Sequence, residues 1–316
     1  MYTRLLSLDM LSDIENLPRK YRDYAWASIA RAAGRLGSDY ESYLAEIRNG
    51  FLRSYVQAEL PLYDYLYFEK ALKSVLAELP NLRYIEKIYV LSRLAETSFL
   101  LSREEYREFL ATALNYLPPL GYSGKARLSL ALSRCGMFSE ALRLLSGYSG
   151  GRKASILVEL SLVRQFDNDL LEKTIEMIRK LRDTKRKIVL YSRLAKHPLY
   201  SETDAPKIQD LALRLPLGDT LQDTYISLLV ARNLGESGLK SELKSAIEQV
   251  IRGIPPLDLL PIDFAELAVE AAYYARGFEG ALDFASQSEF YSLLAAHLVD
   301  YVSQVSIEKH LQKKVE

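Results

Sequence analysis

The residues that could carry chemistry are few in this sequence, and their spacing favours structural roles. Gly147 to Gly151 (GYSGG) satisfies the G-x-S-x-G pattern of a hydrolase nucleophile elbow. That elbow needs a strand before the serine and a helix after it, so that the hydroxyl is exposed at a strained turn. Here a helical stretch precedes the serine, and GYSG recurs at Gly121 to Gly124, the same junction of the previous unit. We interpret both copies as linkers between helices.

The three histidines and the single cysteine do not form a metal or nucleophilic site. His297 falls in an apolar stripe and is predicted to be a core histidine, His197 precedes a proline at a helix end, and His310 lies in a polar tail. None follows a glutamate by three residues, as in the Glu-x-x-His pairs of di-iron bundles. Cys135 also belongs to an apolar stripe and is predicted to be buried and inert. We therefore expect no metal and no organic cofactor.

Two glutamates, Glu266 and Glu270, share one face of a predicted helix. Paired carboxylates can act as general acid and general base when a pocket holds them together. The pattern offers no matched pocket, so a solvated helix face is the better interpretation. A phosphate-binding loop of P-loop spacing is also missing from the sequence. These observations predict that the protein is not an enzyme.

Tyrosine is unusually frequent, with 22 residues against 10 phenylalanines. A tyrosine prefers a buried ring and a hydrogen-bonded hydroxyl, which suits grooves between helices and binding surfaces alike. Half-buried tyrosines that bridge neighbouring helices are the simpler interpretation. The candidates for an aromatic partner surface are Tyr63, Tyr67, Tyr273 and Tyr274.

Helical spacing of apolar residues recurs along nearly the whole chain. The pattern i, i+3, i+4, i+7 places four side chains on one helix face, because an α-helix turns once every ~3.6 residues. Eight such stripes begin on average 34 residues apart, a period that fits two helices and two turns. The stripes span 40–47, 72–79, 110–117, 138–145, 171–178, 208–215, 243–250 and 278–285.

A second helical stretch precedes each stripe, so the repeating unit is helix A, a turn and helix B. An aliphatic residue followed by proline ends several B helices, since proline lacks the N–H that would continue the helix. No alternating β pattern persists, and stacked pairs bury the apolar faces that one pair leaves exposed. The sequence predicts an all-α solenoid superhelix as a single domain over 1–316, with an N-terminal helix in 1–18, about eight helix pairs in 19–288 and a polar C-terminal capping helix in 289–316.

Two segments resemble the tetratricopeptide repeat (TPR). Gly136 to Leu145 (GMFSEALRLL) and Gly277 to Ala285 (GFEGALDFA) each place a glycine, an aromatic residue and then Ala-Leu at the spacing of that family. The resemblance implies a right-handed superhelix whose concave face, lined by A helices, holds extended peptides or other proteins. It supplies no particular ligand residues.

Charge is distributed unevenly, although 41 basic and 41 acidic residues cancel in total. Gly121 to Leu199 carries 16 basic and 7 acidic residues, whereas Tyr200 to Glu316 carries 10 and 18. In the centre, basic residues recur where A helices begin, although the helix dipole favours acids at that end. Stacking would align these starts as a basic ridge formed by Lys125, Arg152, Lys153, Lys185, Arg186 and Lys187.

The basic ridge has two interpretations. One is a solvated face neutralised by Asp183 and nearby acids, and the other is an anion-binding surface aided by the free N–H groups of the helix starts. The leading hypothesis for function is a non-enzymatic scaffold that binds another protein or a peptide. The alternative is a nucleic-acid-binding accessory protein that uses the ridge, and self-association is also open.

The composition also bears on location. No apolar run approaches the ~18 residues that a membrane helix needs, and the first residues show no secretory signal. The sequence therefore predicts a cytoplasmic protein that does not enter a membrane. Few thermolabile residues beside many charged ones suit a heat-adapted source.

Overall fold

The computed structural model describes residues 8–117, 121–203, 210, 218, 220–237 and 241–315. These residues form 17 α-helices and no strand, which confirms the all-helical prediction for this part of the chain. No helix in the described ranges is both long and apolar enough to cross a membrane. In chain order the helices are α1 Leu8–Asn16, α2 Arg19–Arg35, α3 Glu41–Glu46, α4 Gly50–Glu59, α5 Phe68–Glu78, α6 Tyr84–Leu100, α7 Tyr106–Asn115, α8 Tyr122–Arg134, α9 Phe138–Leu144, α10 Gly150–Val163, α11 Asn168–Arg179, α12 Thr184–Leu194, α13 Pro198–Thr203, α14 Leu221–Glu236, α15 Ser241–Gly253, α16 Ile262–Ala285 and α17 Tyr291–Val315.

The predicted stripes coincide with alternate helices. Seven of them fall on α3, α5, α7, α9, α11, α15 and the second half of α16, while the stripe at 208–215 lies outside the described residues. The even-numbered helices from α2 to α14 and the first half of α16 occupy the predicted A positions. Gly277, with a φ of 76°, separates the two halves of α16. Glycine adopts this left-handed conformation without a steric penalty, so one residue replaces the turn between helices A and B.

Proline ends B helices where the sequence predicts it. Helix α5 stops at Glu78, before a short 3₁₀ turn that contains Pro80, and α15 stops at Gly253, before Ile254 and Pro255. The other two predicted stops, at Pro118 and Pro216, lie outside the described residues.

The chain divides into two compact units, the first formed by Met1–Gly147 together with Ala295–Glu316 and the second by Tyr148–Leu294. In unit 1, the A helices α2, α4, α6 and α8 pack each against the next, and each also packs against the B helix that follows it. Leu91, Leu94, Leu110, Leu128 and Leu132 are fully buried in the resulting core.

Unit 2 repeats this packing by itself. Helices α10, α12, α14 and α16 contact one another in chain order, and α11 and α15 pack against the A helices that precede them. Helix α15 also packs against α16. The side chains of Leu228, Leu234 and Ile247 are buried here.

The A helices α14 and α16 of unit 2 lie very close together at Gly235, and a substitution there tests this close contact. A methyl group on Gly235 would lie 2.3 Å from Cγ of Tyr274, an atom close to the backbone of α16 that cannot swing away. We expect Gly235→Ala to lower the free energy of unfolding, measured in urea, by about 1–3 kcal/mol relative to Gly253→Ala. Gly253, at the end of α15, is the control because a methyl group there meets nothing within 4 Å. Equal stability of the two variants would contradict the close approach.

Candidate functional site

The basic ridge residues lie in the first turns of three A helices. Helix α8 begins at Tyr122, α10 at Gly150 and α12 at Thr184, which agrees with the helix starts that the sequence predicts. One of the six belongs to unit 1 and five to unit 2. In order they are Lys125 in α8, Arg152 and Lys153 in α10, and Lys185, Arg186 and Lys187 in α12.

Within unit 2, the starts of α10 and α12 are close together. A methyl group on Gly151 would lie 2.4 Å from Nε of Arg186, so the guanidinium group of Arg186 covers the first turn of α10. Lys185 forms an ion pair with Asp223 of α14. Asp183 caps α12, because its Oδ1 accepts a hydrogen bond from the backbone N–H of Arg186 at 3.0 Å. Acidic groups therefore neutralise part of this surface, while the Arg186 side chain is exposed.

The predicted aromatic surface divides between the two units. Tyr273 and Tyr274 are half-buried in α16 of unit 2, with ring centroids 5.1 Å apart in an edge-on arrangement. Tyr63 and Tyr67 belong to unit 1. Tyr67 is only 5% exposed, and its ring meets the edge of Tyr40 at 5.3 Å. This burial corrects the placement of Tyr67 on an exposed surface, because the turn after α4 folds its ring into the core.

Tyr63 contacts two charged side chains, Glu59 and Arg35. Its hydroxyl donates a hydrogen bond to Oε1 of Glu59 at 3.1 Å, and the guanidinium group of Arg35 lies over its ring. Burial raises the pKa of Tyr63, and the charge of Glu59 adds to that effect. Tyr63 therefore remains a neutral donor at physiological pH.

The residues considered for catalysis occupy structural positions. Ser149 of the G-x-S-x-G segment immediately precedes α10, and the segment follows helix α9, as the linker interpretation predicts. Cys135 is buried, and burial raises the pKa of its thiol to about 12. His197 is fully buried before α13, and burial lowers its pKa. His297 is half-buried in α17, and the side chain of His310 lies outside the described residues.

Glu270 is buried, contrary to the expectation from the sequence. The solvated face predicted for Glu266 and Glu270 is wrong for Glu270, which is 6% exposed. Its Oε2 accepts a hydrogen bond from Nη1 of Arg232, on the preceding A helix, at 3.1 Å. The carboxylate is buried because α14 supplies a guanidinium group across the helix interface. It is one member of an ion cluster that the sequence analysis missed.

The unit 1 ion cluster joins α17, α2, α4, α6 and α8. Both Arg31 and Arg35 of α2 pair with Asp300 of α17 at 2.5 Å. Arg35 also reaches Oε1 of Glu59, on α4, at 2.7 Å. The contact between Arg31 and Asp300 joins residues 269 positions apart, which stacking of consecutive helix pairs alone does not provide. The cluster comprises Arg31, Arg35, Glu59, Arg93, Glu96, Arg127, Arg134 and Asp300.

Arg93 of α6 links the two glutamates of the cluster. Its Nη2 lies 3.3 Å from Oε2 of Glu59 and 3.3 Å from the hydroxyl of Tyr55. Burial opposes ionisation of Glu59, but the guanidinium groups of Arg93, Arg35 and Arg31 outweigh it and lower the pKa of Glu59 to about 2. Glu59 is therefore a permanent anion near neutral pH.

Three arginines share the carboxylate of Glu96, on α6. Its Oε1 lies 2.8 Å from Nη1 of Arg127 and 3.2 Å from Nη1 of Arg134, both on α8. Its Oε2 lies 3.3 Å from Nη1 of Arg93. Burial again opposes ionisation, and the three guanidinium groups lower the pKa of Glu96 below its ordinary value. Helical spacing explains the grouping, because residues three, four or seven apart lie on one helix face.

The unit 2 ion cluster has the same construction on α10, α12, α14 and α16. Oε2 of Glu236, on α14, lies 2.9 Å from Nη1 of Arg193 on α12 and 2.7 Å from Nζ of Lys196 in the turn after α12. Arg193 also pairs through Nε with Glu159 of α10 at 2.8 Å. Burial opposes the charge of Glu236, but Lys196, Arg232 and Arg193 lower its pKa. The members are Glu159, Arg193, Lys196, Arg232, Glu236 and Glu270.

The chemistry available to the two clusters is binding rather than proton transfer. A general acid or base works best with a pKa near the operating pH. The pKa values of Glu59, Glu96 and Glu236 are all lowered, and those of Arg35 and Arg93 are raised. These groups stay charged near pH 7 and present fixed charges along the A helices.

A signal for the clusters exists in the sequence. Opposite charges recur one repeat apart within the A helices, as in Glu159 and Arg193, which are 34 residues apart. Counting charges by segment conceals this alternation, because the charges of a pair fall in consecutive units. Comparing the same position across the A helices would have revealed it.

No protein-family model, curated protein or solved structure matches the chain.

Proposed function

We propose that the protein is a non-enzymatic scaffold, a TPR-like solenoid that binds a segment of another protein along its A helices. The observation that supports this most is that ion pairs join successive A helices in both units, as Arg93 with Glu59 in unit 1 and Arg193 with Glu236 in unit 2. Arginine and tyrosine are enriched where proteins bind one another, because both combine apolar area with hydrogen-bonding groups.

Aromatic side chains beside the unit 1 ion cluster fit this role. Phe51 contacts Tyr55 on α4 and the edge of Tyr89 on α6, with ring centroids 6.0 Å and 6.5 Å apart. All three are half-buried, so part of each ring is accessible. The guanidinium group of Arg93 lies over the Tyr55 ring at 5.3 Å. A peptide laid across α4 and α6 would meet apolar rings and fixed charges together.

Site-specific photocrosslinking tests the proposed function. We expect benzoylphenylalanine at Tyr55 or Tyr89 to crosslink a defined protein from an extract of the source cells, identified by mass spectrometry. Leu76 of α5 and Leu142 of α9 provide matched controls, because they are exposed apolar residues on B helices. Crosslinks of equal yield from the control positions, or none from α4 and α6, would contradict binding along the A helices.

A second candidate is binding of nucleic acid by the part of the basic ridge that lies in unit 2. The contact of Arg186 with Gly151 supports this candidate, because it brings the basic starts of α10 and α12 together. Five cations that each neutralise one phosphate of a single strand would give a log K versus log salt slope of about −3.5, at ~0.7 per contact. The combined change Lys185→Glu, Arg186→Glu and Lys187→Glu should then abolish polynucleotide binding measured by fluorescence anisotropy. Undiminished binding by this variant would exclude the ridge as a nucleic-acid-binding surface.

A further inference from the structure

The charges around Glu96 are unbalanced. Arg31 and Arg35 are matched by Glu59 and Asp300, so that part of the unit 1 ion cluster is neutral. The remaining three arginines share Glu96, and the contact of Arg93 with Glu59 adds no new anion. No other carboxylate among the described residues forms an ion pair with them. This end of the cluster therefore retains two surplus positive charges.

Hydrogen-bond donors are also left over at this end. Nε of Arg93 and both Nε and Nη2 of Arg127 are buried without a partner in the described part of the chain. An unmet buried N–H costs free energy, so a rearrangement that supplied an acceptor would be favourable. Arg134 connects these groups to solvent, because its side chain is 43% exposed while it still reaches Glu96.

We propose that Arg93, Arg127 and Arg134 bind a phosphomonoester dianion carried by the partner protein, an assignment that rests on the proposed function. A phosphorylated side chain carries about −1.5 to −2 charges at pH 7, which matches the surplus of two. A single carboxylate, or one phosphodiester of a nucleic acid, would leave one charge unmatched. Guanidinium groups also bind phosphate through pairs of parallel hydrogen bonds, which gives both affinity and orientation.

The sharing of Glu96 among three arginines would allow the anion to enter from the side of Arg134. Arg134 holds Oε1 of Glu96 at 3.2 Å, a longer contact than the 2.8 Å contact of Arg127 with the same oxygen. Arg134 can exchange this contact for a phosphate oxygen without leaving Glu96 unpaired, since Arg127 and Arg93 remain. The phosphate would then lie over Arg127 and Arg93 and add the missing negative charge.

Titration with phenyl phosphate tests the site without any partner protein. We expect saturable binding by isothermal titration calorimetry at low salt and pH 7.5, with diphenyl phosphate and benzoate binding more weakly because each carries one charge. Arg134→Gln should weaken phenyl phosphate binding at least about tenfold, the loss of one charge-assisted contact. Arg143→Gln is the matched control, since Arg143 of α9 is exposed and pairs with Glu140 outside the cluster. The control should bind as the wild type does.

The pH dependence identifies the dianion. The second pKa of a phosphomonoester is about 6, so affinity should fall between pH 7.5 and pH 5 while the three arginines stay charged. Because Arg134 is one of the surplus cations, Arg134→Gln should keep the wild-type melting temperature, and Arg134→Lys should retain part of the affinity. No saturable binding by the wild type, an equal loss in Arg143→Gln, or equal affinity for benzoate would overturn the proposal.

The two proposals fail separately in these experiments. Phenyl phosphate binding without any crosslinked partner would contradict the scaffold function and leave the anion site standing. A crosslinked partner together with no phenyl phosphate binding would overturn only the anion site.

Discussion

Replacing Glu96 by glutamine is expected to lower the free energy of unfolding by about 3–5 kcal/mol, the range observed when one partner of a buried ion pair is removed. The side chain of Glu96 is only 3% exposed, so water cannot replace its charge. Glutamine preserves the shape and one acceptor oxygen but removes the one carboxylate, among the described residues, with which Arg127 and Arg134 form ion pairs. The three guanidinium groups would then repel one another across α6 and α8.

Urea unfolding at pH 7, followed by circular dichroism, measures this effect. Glu140→Gln is the matched control in the same unit, because Glu140 is 42% exposed and its 3.5 Å ion pair with Arg143 lies at the surface. Exposed pairs contribute about 0–1 kcal/mol, so the control should stay within that range of the wild type. A Glu96→Gln variant as stable as the Glu140→Gln control would show that the cluster does not hold α6 and α8 together.

Acidification is expected to destabilise the protein strongly between pH 5 and pH 2. The pKa of Glu59 falls from an ordinary value of 4.5 to about 2 in the folded protein, where burial opposes its charge and Arg93, Arg35 and Arg31 favour it. Because the folded pKa is the lower one, the stabilisation is fully present above about pH 4.5 and is lost as the pH falls towards 2. The shift corresponds to about 3 kcal/mol from this one side chain. Glu96 and Glu236 act in the same direction, since their pKa values are also lowered.

The measurement is the free energy of unfolding in urea at pH 7, 4, 3 and 2, with Glu59→Gln for comparison. Glutamine does not titrate, so the variant should be less stable at pH 7 but lose about 3 kcal/mol less than the wild type on acidification. Parallel pH curves for the two proteins would show that Glu59 is not held as a buried anion.

The helical fold was predictable because apolar periodicity is a local property. A stripe such as 171–178 predicts a helix from residues that lie within a few turns of one another. The structure has helix α11 there, from Asn168 to Arg179. Proline and glycine mark the ends by equally local rules, as at Gly277. The grouping of the first 147 residues with the last ones in one compact unit could not be predicted, since it depends on contacts between residues far apart in the sequence.

The ion clusters were not predictable in detail, because each charge depends on a partner from another helix. Glu270 has the sequence pattern of a surface residue, and only Arg232 on the preceding A helix makes its burial tolerable. Tyr67 has a similar explanation, because the fold of the turn after α4 places its ring against Tyr40. The pattern of a single helix cannot show which charge will face it.

The pairing of Asp300 with Arg31 and Arg35 has a consequence for the order in which the protein is made. During synthesis α2 leaves the ribosome long before α17, because the N-terminal end of the chain emerges first. During that interval Arg31 lacks the anion that it contacts in the finished protein, and Arg35 has only Glu59. The first A helix to be synthesised, α2, therefore gains the carboxylate of Asp300 only when α17 is made. Unit 1 reaches its full stability only after unit 2 has been translated.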